Sequence, residues 1–182
     1  STLTYNFPAL INTQQTITFK TTVKDSAFTK TDSHKTNITE KNTATLNHDS
    51  TFTISNEASV TIPVNFINKT GKYNTTTKQI DWTIVVNQNG VTIPNATITD
   101  TLPTGLTLFP GSVKFDGTAS TAYTTSGQTI EFNLGSISEK KTIQYSTTVE
   151  DIAFISNTLN TYTNLARLTG TGVPGNATSG IG

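Results

Sequence analysis

The sequence predicts an all-β chain built as tandem β-sandwich modules. Apolar and polar residues alternate with a period of two, turn signals interrupt those runs, and one stretch of the chain is repeated later. Ile17, Phe19, Thr21 and Val23 share one predicted strand face. Ile80, Trp82, Ile84 and Val86 share a second, and Ile143, Tyr145, Thr147 and Val149 a third. Turns are expected at Asn89-Gly90, Pro103-Thr104-Gly105, Pro110-Gly111, Asp116-Gly117 and Ser126-Gly127. No convincing amphipathic helix appears. Many short strands with regular turns indicate a β-sandwich or a barrel.

The repeat pairs residues 3–28 with residues 130–154. Tyr5-Asn6-Phe7 matches Phe132-Asn133-Leu134. The run from Thr16 through Thr21-Thr22-Val23 to Asp25-Ser26-Ala27-Phe28 matches the run from Thr142 through Thr147-Thr148-Val149 to Asp151-Ile152-Ala153-Phe154. Each copy then passes through a polar loop to a matching strand, Asn42–Leu46 in the first and Asn164–Leu168 in the second. The chain therefore reads as the back half of one module followed by a whole one. Residues 1–50 are expected to be the C-terminal half of a preceding sandwich, or strands that complete a neighbour. Residues 51–170 form the complete module, with Thr51–Ser55 and Ala58–Phe66 as its opening strands. The boundary falls near His48-Asp49-Ser50. Residues 171–182 are Gly-rich and read as a linker or frayed tail, with an edge strand around Val173 as the alternative.

Composition narrows the function. Charged residues are 13% of the 182 and the net charge is +0, so no basic patch is expected to bind nucleic acid or an anionic membrane surface. No apolar run approaches spanning length, so membrane insertion is not expected. With no initiator Met and no signal peptide, the chain reads as a fragment or a mature product. Cys is absent, so a secreted module of this kind gains stability without disulfides. Thr is the commonest residue, with Asn, Ser, Val and Ile behind it. That composition suits half-buried strands and an extracellular protein.

Three polar residues stand out. Asn164, Ala166 and Leu168 share one strand face, with Arg167 on the other, so Asn164 is expected to point inward. Asn42, Ala44 and Leu46 give the same pattern. Asp100 falls in phase with Ala96, Ile98 and Leu102. A lone ionised carboxylate on that face would be costly, so it must pair or hold a proton. Lys69 is the natural third member. It is in phase with Ile67 but out of phase with Val64 and Phe66, so an inward Lys69 requires a bulge or a shifted register. Lys72 is the rival lysine and Asp81 the rival acid. Asp81 is out of phase with Ile80, Trp82 and Ile84, which favours Asp100.

These residues resemble a known family. Lys69-Thr70-Gly71-Lys72-Tyr73, the Trp-bearing run Ile80–Asn87, the turn Asp100-Thr101-Leu102-Pro103 and the late Asn164-Leu165-Ala166 strand occur in order. Together they resemble the collagen-binding-adhesin-like repeats of Gram-positive surface proteins. The resemblance covers roughly residues 51–170, and residues 3–47 match its second half. It implies an immunoglobulin-like sandwich with an internal Lys–Asn isopeptide bond. Lys69 would be the nucleophile, Asn164 the electrophilic amide and Asp100 the catalytic acid. Asn42 would be the amide of a second copy, its partners lying outside this segment.

Plainer readings stand beside that one. Asp100 could cap the turn before Pro103, Asn164 could be a satisfied core amide, and Lys69 a solvated loop lysine. Trp82 reads as core. His34 and His48 stand in polar loops with no paired ligand, so no metal or other cofactor is expected. The Asn-x-Thr/Ser sequons at Asn37, Asn68, Asn74, Asn95 and Asn176 are treated as incidental.

Three functions compete. One is a structural stalk or fibre segment of a bacterial cell-surface adhesin, at the cell surface or in the cell wall, whose partners are neighbouring modules. Another is a ligand-binding adhesin domain for a host matrix protein or a glycan, with Tyr73 and Tyr123 the best exposed aromatics. The last is a subunit of a surface filament or S-layer assembled by strand complementation. An enzyme with substrate turnover is not expected.

Overall fold

The structure is a computed structural model describing residues 2–7, 11–29, 36–48, 52–155, 161–175 and 177–181. Two antiparallel sheets pack face to face as an immunoglobulin-like β-sandwich. One holds β3 (Ile67–Asn74), β4 (Gln79–Val86), β11 (Lys141–Val149), β7 (Lys114–Phe115) and β8 (Thr118–Ala119) in that order, with β6 (Leu106–Leu108) also paired to β11. The other has the order β13 (Thr178–Ile181), β12 (Asn164–Thr169), β5 (Ile93–Thr101), β10 (Thr129–Ile137), β9 (Tyr123–Ser126).

The alternation seen in the sequence sets which side chains meet between the sheets. Ile80, Trp82, Ile84 and Val86 of β4 are all buried, as are Ile143, Tyr145, Thr147 and Val149 of β11. From the facing sheet come Ala96, Ile98, Asp100, Ile130, Phe132, Asn164, Ala166 and Leu168. Inward positions recur every second residue because successive Cβ atoms leave a strand on opposite faces. Burying this many branched and aromatic side chains supplies the main drive for folding.

The strand expected at Ala58–Phe66 is divided. β2 (Phe52–Ile62) ends before Pro63, and β3 begins at Ile67 after a bend at Phe66. Val64 and Phe66 are buried in that connection. The bend resets the phase, so Ile67 and Lys69 point inward without a bulge inside β3.

The N-terminal region takes another form than its repeat partner. Residues 16–24 have no regular structure, and Ile17, Phe19 and Val23 are exposed. An alternating run becomes a strand only when it gains a hydrogen-bonding neighbour and a face to cover. β1 (Ile38–His48) instead pairs with β2 in a long hairpin, in register from Ile38↔Ile62 to His48↔Phe52. Of the expected boundary His48-Asp49-Ser50, His48 ends β1, and Asp49 and Ser50 are outside the described residues. One short feature does follow the repeat. Asp25–Phe28 is a helical turn, α1, and Asp151–Phe154 is a 3-10 turn.

The C-terminal segment, expected as linker or frayed tail, carries β13. It hydrogen-bonds along β12, from Asn164↔Ile181 to Arg167↔Thr178. Ala177 and Ser179 are buried. Small, Gly-rich sequence conceals a strand here because an edge strand of this length needs few large side chains.

Candidate functional site

Lys69, Asp100 and Asn164 meet between the sheets, joined by Tyr145. Lys69 is 3% exposed and Asp100 and Asn164 are 0% exposed, so this is a dry site rather than a cleft. Lys69 comes from β3 and Tyr145 from β11 of one sheet. Asp100 and Asn164 come from β5 and β12 of the other. The cluster therefore bridges the two layers.

Each side chain is fixed by its strand. Lys69 sits opposite Ile84, and its backbone N–H donates to Ser179 Oγ at 3.0 Å. Trp82 lies opposite Gly71, and its ring covers the Lys69 ammonium at 4.9 Å. Trp82 Nε1 donates to Thr147 Oγ1 at 3.0 Å, which locks the indole. Asp100 is central in its sheet, opposite Ala166 on one side and Ile130 on the other. Those neighbours offer it no polar side chain, so its partners must come from across the sandwich.

They do. Lys69 Nζ donates to Asp100 Oδ2 at 2.5 Å, and Tyr145 Oη donates to the same oxygen at 2.5 Å. Asn164 Nδ2 donates to Tyr145 Oη at 3.0 Å. Asp100 Oδ1 and Asn164 Oδ1 are both buried with no hydrogen-bond partner among the described residues. Two such acceptors in a dry core are costly unless a proton satisfies them. Burial pulls the Lys69 ammonium down from 10.5 to about 8, outweighing the attraction and hydrogen bond of Asp100. Burial, and then the Asp100 charge, push the Tyr145 phenol well above its ordinary value. The site thus holds an easily neutralised amine and a phenol that keeps its proton.

The rival and plainer assignments separate cleanly. Lys72 and Asp81 are exposed and face one another across β3 and β4, and Asp81 accepts from Ser146 Oγ at 2.6 Å. The Asp100 carboxylate goes to Lys69 and Tyr145 rather than to turn backbone. Asn87, at the end of the Trp-bearing run, is a structural clamp. Its amide holds both the N–H and C=O of Val91, at 2.9 and 2.7 Å. Asn42 is exposed on β1 opposite Ala58, outside the buried cluster. His34 lies outside the described residues. Among the described residues no group of three or more His, Asp or Glu side chains could hold a metal.

Sequence reasoning missed Tyr145 and Ser179 as members of the site. Alternation had put Tyr145 on an inward face, and an inward phenol needs a partner; that was the available signal. Nothing local marked Ser179, whose role exists only because β13 folds back beside β3.

The resemblance drawn from the sequence is borne out by comparison with known proteins. Residues 64–127 match the family model of the collagen binding domain. Among solved structures, the collagen-binding domain from a Staphylococcus aureus adhesin is similar at 16% identity. The match covers 58% of this chain and 85% of that one, with a TM-score of 0.44. The collagen binding subdomain of the Enterococcus faecalis surface protein ACE is similar at 15% identity, over 64% and 95% of the two chains, with a TM-score of 0.45. The major pilin subunit of Bacillus cereus is similar at 13% identity, over 78% and 45%, with a TM-score of 0.42. No curated protein matches. Among the described residues, no helix is long and apolar enough to cross a membrane.

Proposed function

We propose that the chain is a structural stalk or fibre segment of a bacterial cell-surface adhesin, hardened by an autocatalytic isopeptide bond between Lys69 and Asn164. The observation that carries this is the fully buried Lys69–Asp100 pair, 2.5 Å apart, linked through Tyr145 to the Asn164 amide. The ammonium passes a proton to Asp100. The neutral Lys69 amine attacks Cγ of Asn164, and protonated Asp100 donates to the amide oxygen as negative charge develops there. The C–N bond to the side-chain nitrogen then breaks. Ammonia leaves, and an amide joins the two sheets. Holding amine and amide in one dry pocket makes a very slow reaction intramolecular. The product ties β3 of one sheet to β12 of the other.

Two other readings keep specific support. The match of residues 64–127 to the collagen binding domain family favours a head that grips a host matrix protein such as collagen. A shallow depression lined by Leu102, Leu108, Pro110, Tyr123 and Ile130 would offer apolar contact. The β1–β2 hairpin favours assembly through strands. One of its faces carries Leu46, Ile54 and Val60, all exposed. On this reading residues 1–50 are the C-terminal half of another module, and Asn42 is the amide of its cross-link.

Intact mass tests the main reading. The expected value is one ammonia below the sequence mass, with a branched peptide joining Lys69 and Asn164. An unmodified mass would overturn the cross-link.

A further inference from the structure

The buried cluster contains a member for which the three-residue mechanism has no use. Among the described residues, Tyr145 Oη is what bridges Asp100 and the Asn164 amide. It donates to Asp100 Oδ2 at 2.5 Å and accepts from Asn164 Nδ2 at 3.0 Å. The ring is held at 2% exposure between Trp82, stacked at 6.5 Å, and Phe132 at 5.5 Å. Its position is therefore set by packing, independently of the hydroxyl.

We infer that Tyr145 is a fourth catalytic residue of the cross-linking reaction, orienting the Asn164 amide and handing the departing nitrogen its proton. The inference rests on the isopeptide reading above. Its first half follows from hydrogen-bond bookkeeping. The phenol has one hydrogen, and that hydrogen is committed to Asp100. Only a lone pair remains for the amide, so the amide must turn its NH2 toward Tyr145. That leaves Asn164 Oδ1, buried and without a partner among the described residues, for the proton that Asp100 carries in the reaction. The phenol thereby selects the one amide rotamer in which nitrogen can leave and oxygen can be protonated.

The second half concerns the leaving group. An amide nitrogen cannot depart as NH2⁻; it needs a further proton. Once Lys69 has attacked, the amide carbon becomes tetrahedral, and the lone pair of the former amide nitrogen is no longer delocalised into the carbonyl and can accept a proton. That nitrogen is the atom already in contact with Tyr145 Oη. Tyr145 donates its proton to it and takes one from Asp100, and Asp100 takes one from the attacking Lys69 nitrogen. The C–N bond to the old nitrogen breaks, and ammonia leaves. Lys69 enters as the ammonium and gives up two hydrogens, one to the departing ammonia and one that stays on Asp100 when the carbonyl re-forms. Tyr145 ends as it began, and no outside acid is required in a core closed to water.

The test uses cell-free synthesis of the whole chain, sampled over time by intact mass. Tyr145→Phe keeps the ring and its stacking and removes only the hydroxyl. The expected result is a folded protein whose ammonia loss is about a hundredfold slower than wild type, the lower range for a lost proton donor. An equal rate in Tyr145→Phe, with wild type losing ammonia, overturns the role of Tyr145 and leaves the cross-link standing. No ammonia loss in wild type overturns the cross-link itself, and this inference with it. Because Tyr145→Phe could slow the reaction by disturbing the pocket, a second protein carries 3-fluorotyrosine, which fills the same space with a more acidic phenol. A relay predicts a shifted rate and pH profile. An unchanged rate and profile would mean that the hydroxyl only packs, and would overturn the relay.

Discussion

Gly71 lies directly across from Trp82, and a Cβ on Gly71 would sit 2.6 Å from the indole ring. The absence of a side chain on β3 is what lets the indole lie over the strand and close the top of the Lys69 pocket. The pairing explains why a glycine stands inside a strand, where its entropy cost is otherwise unwelcome.

Replacing Gly71 with Ala should therefore displace Trp82. Overpacking of this kind costs about 1–3 kcal/mol. The indole would also lose its bond to Thr147 and its place over the Lys69 amine. Thermal unfolding of Gly71→Ala in a bond-free background should show the loss, and the rate of ammonia release in the otherwise native chain should fall. A stability equal to the parent would mean that Trp82 is not held by this contact.

Asp100→Ala should abolish the mass deficit and also weaken the fold. Removing the carboxylate leaves a buried ammonium with no countercharge, at a cost of about 3–5 kcal/mol. The double variant Lys69→Met with Asp100→Ala should recover much of that loss, since both charges are then gone. Intact mass and urea unfolding of the two proteins would check this. A single variant as stable as the double would show that the pair is not electrostatically coupled.

The bond itself should stabilise the module. Joining Lys69 to Asn164 closes a loop of roughly 100 residues, for which the chain-entropy estimate is about 4–5 kcal/mol. Asn164→Ala should be less stable by about that amount, and more readily cleaved by protease at raised temperature. Comparable protease resistance in the two proteins would argue against a mechanical role.

In bond-free Asn164→Ala protein, pH should act through Lys69 and Tyr145 in turn. The folded state releases the Lys69 proton near pH 8, the unfolded chain only near 10.5. Between about pH 8 and 10 the unfolded chain holds more protons, so stability rises with pH. Below pH 8 the penalty of burying the ammonium is fully present. Above about 10 the unfolded chain ionises Tyr145 while the folded state holds its phenol protonated, so stability falls again. Urea midpoints from pH 7 to 11 should pass through a maximum. A steady fall from pH 7 would contradict the lowered Lys69 value.

Ser179 supplies the acceptor for the Lys69 backbone N–H. Ser179→Ala should cost about 1–3 kcal/mol, because that N–H is left buried without a partner. By contrast Ile54→Thr on the exposed hairpin face should leave the sandwich within about 0.5 kcal/mol of the parent. Differential scanning calorimetry of both variants would rank them. A large loss for Ile54→Thr would show that the hairpin face is covered in solution.

Much of this protein was legible from its sequence. A two-residue period determines which side chains share a face, so Asp100, Asn164, Trp82 and Tyr145 could be placed inside before any fold was known. Lys69 could be placed inside only on condition of a register change, and the bend at Phe66 supplies it. Whether an alternating run becomes a strand was not legible, because that depends on a neighbour. The runs around Phe19 and Tyr145 are near copies, yet only the second finds β4 beside it and a facing sheet to bury it. Nor could the sequence show that Tyr145 bridges Asp100 and Asn164, or that Ser179 reaches Lys69. Those contacts join residues far apart in the chain, and local periodicity carries no information about which strand lies across the core. The sequence by itself determined the inventory of inward-facing groups; only the tertiary structure decided which of them touch.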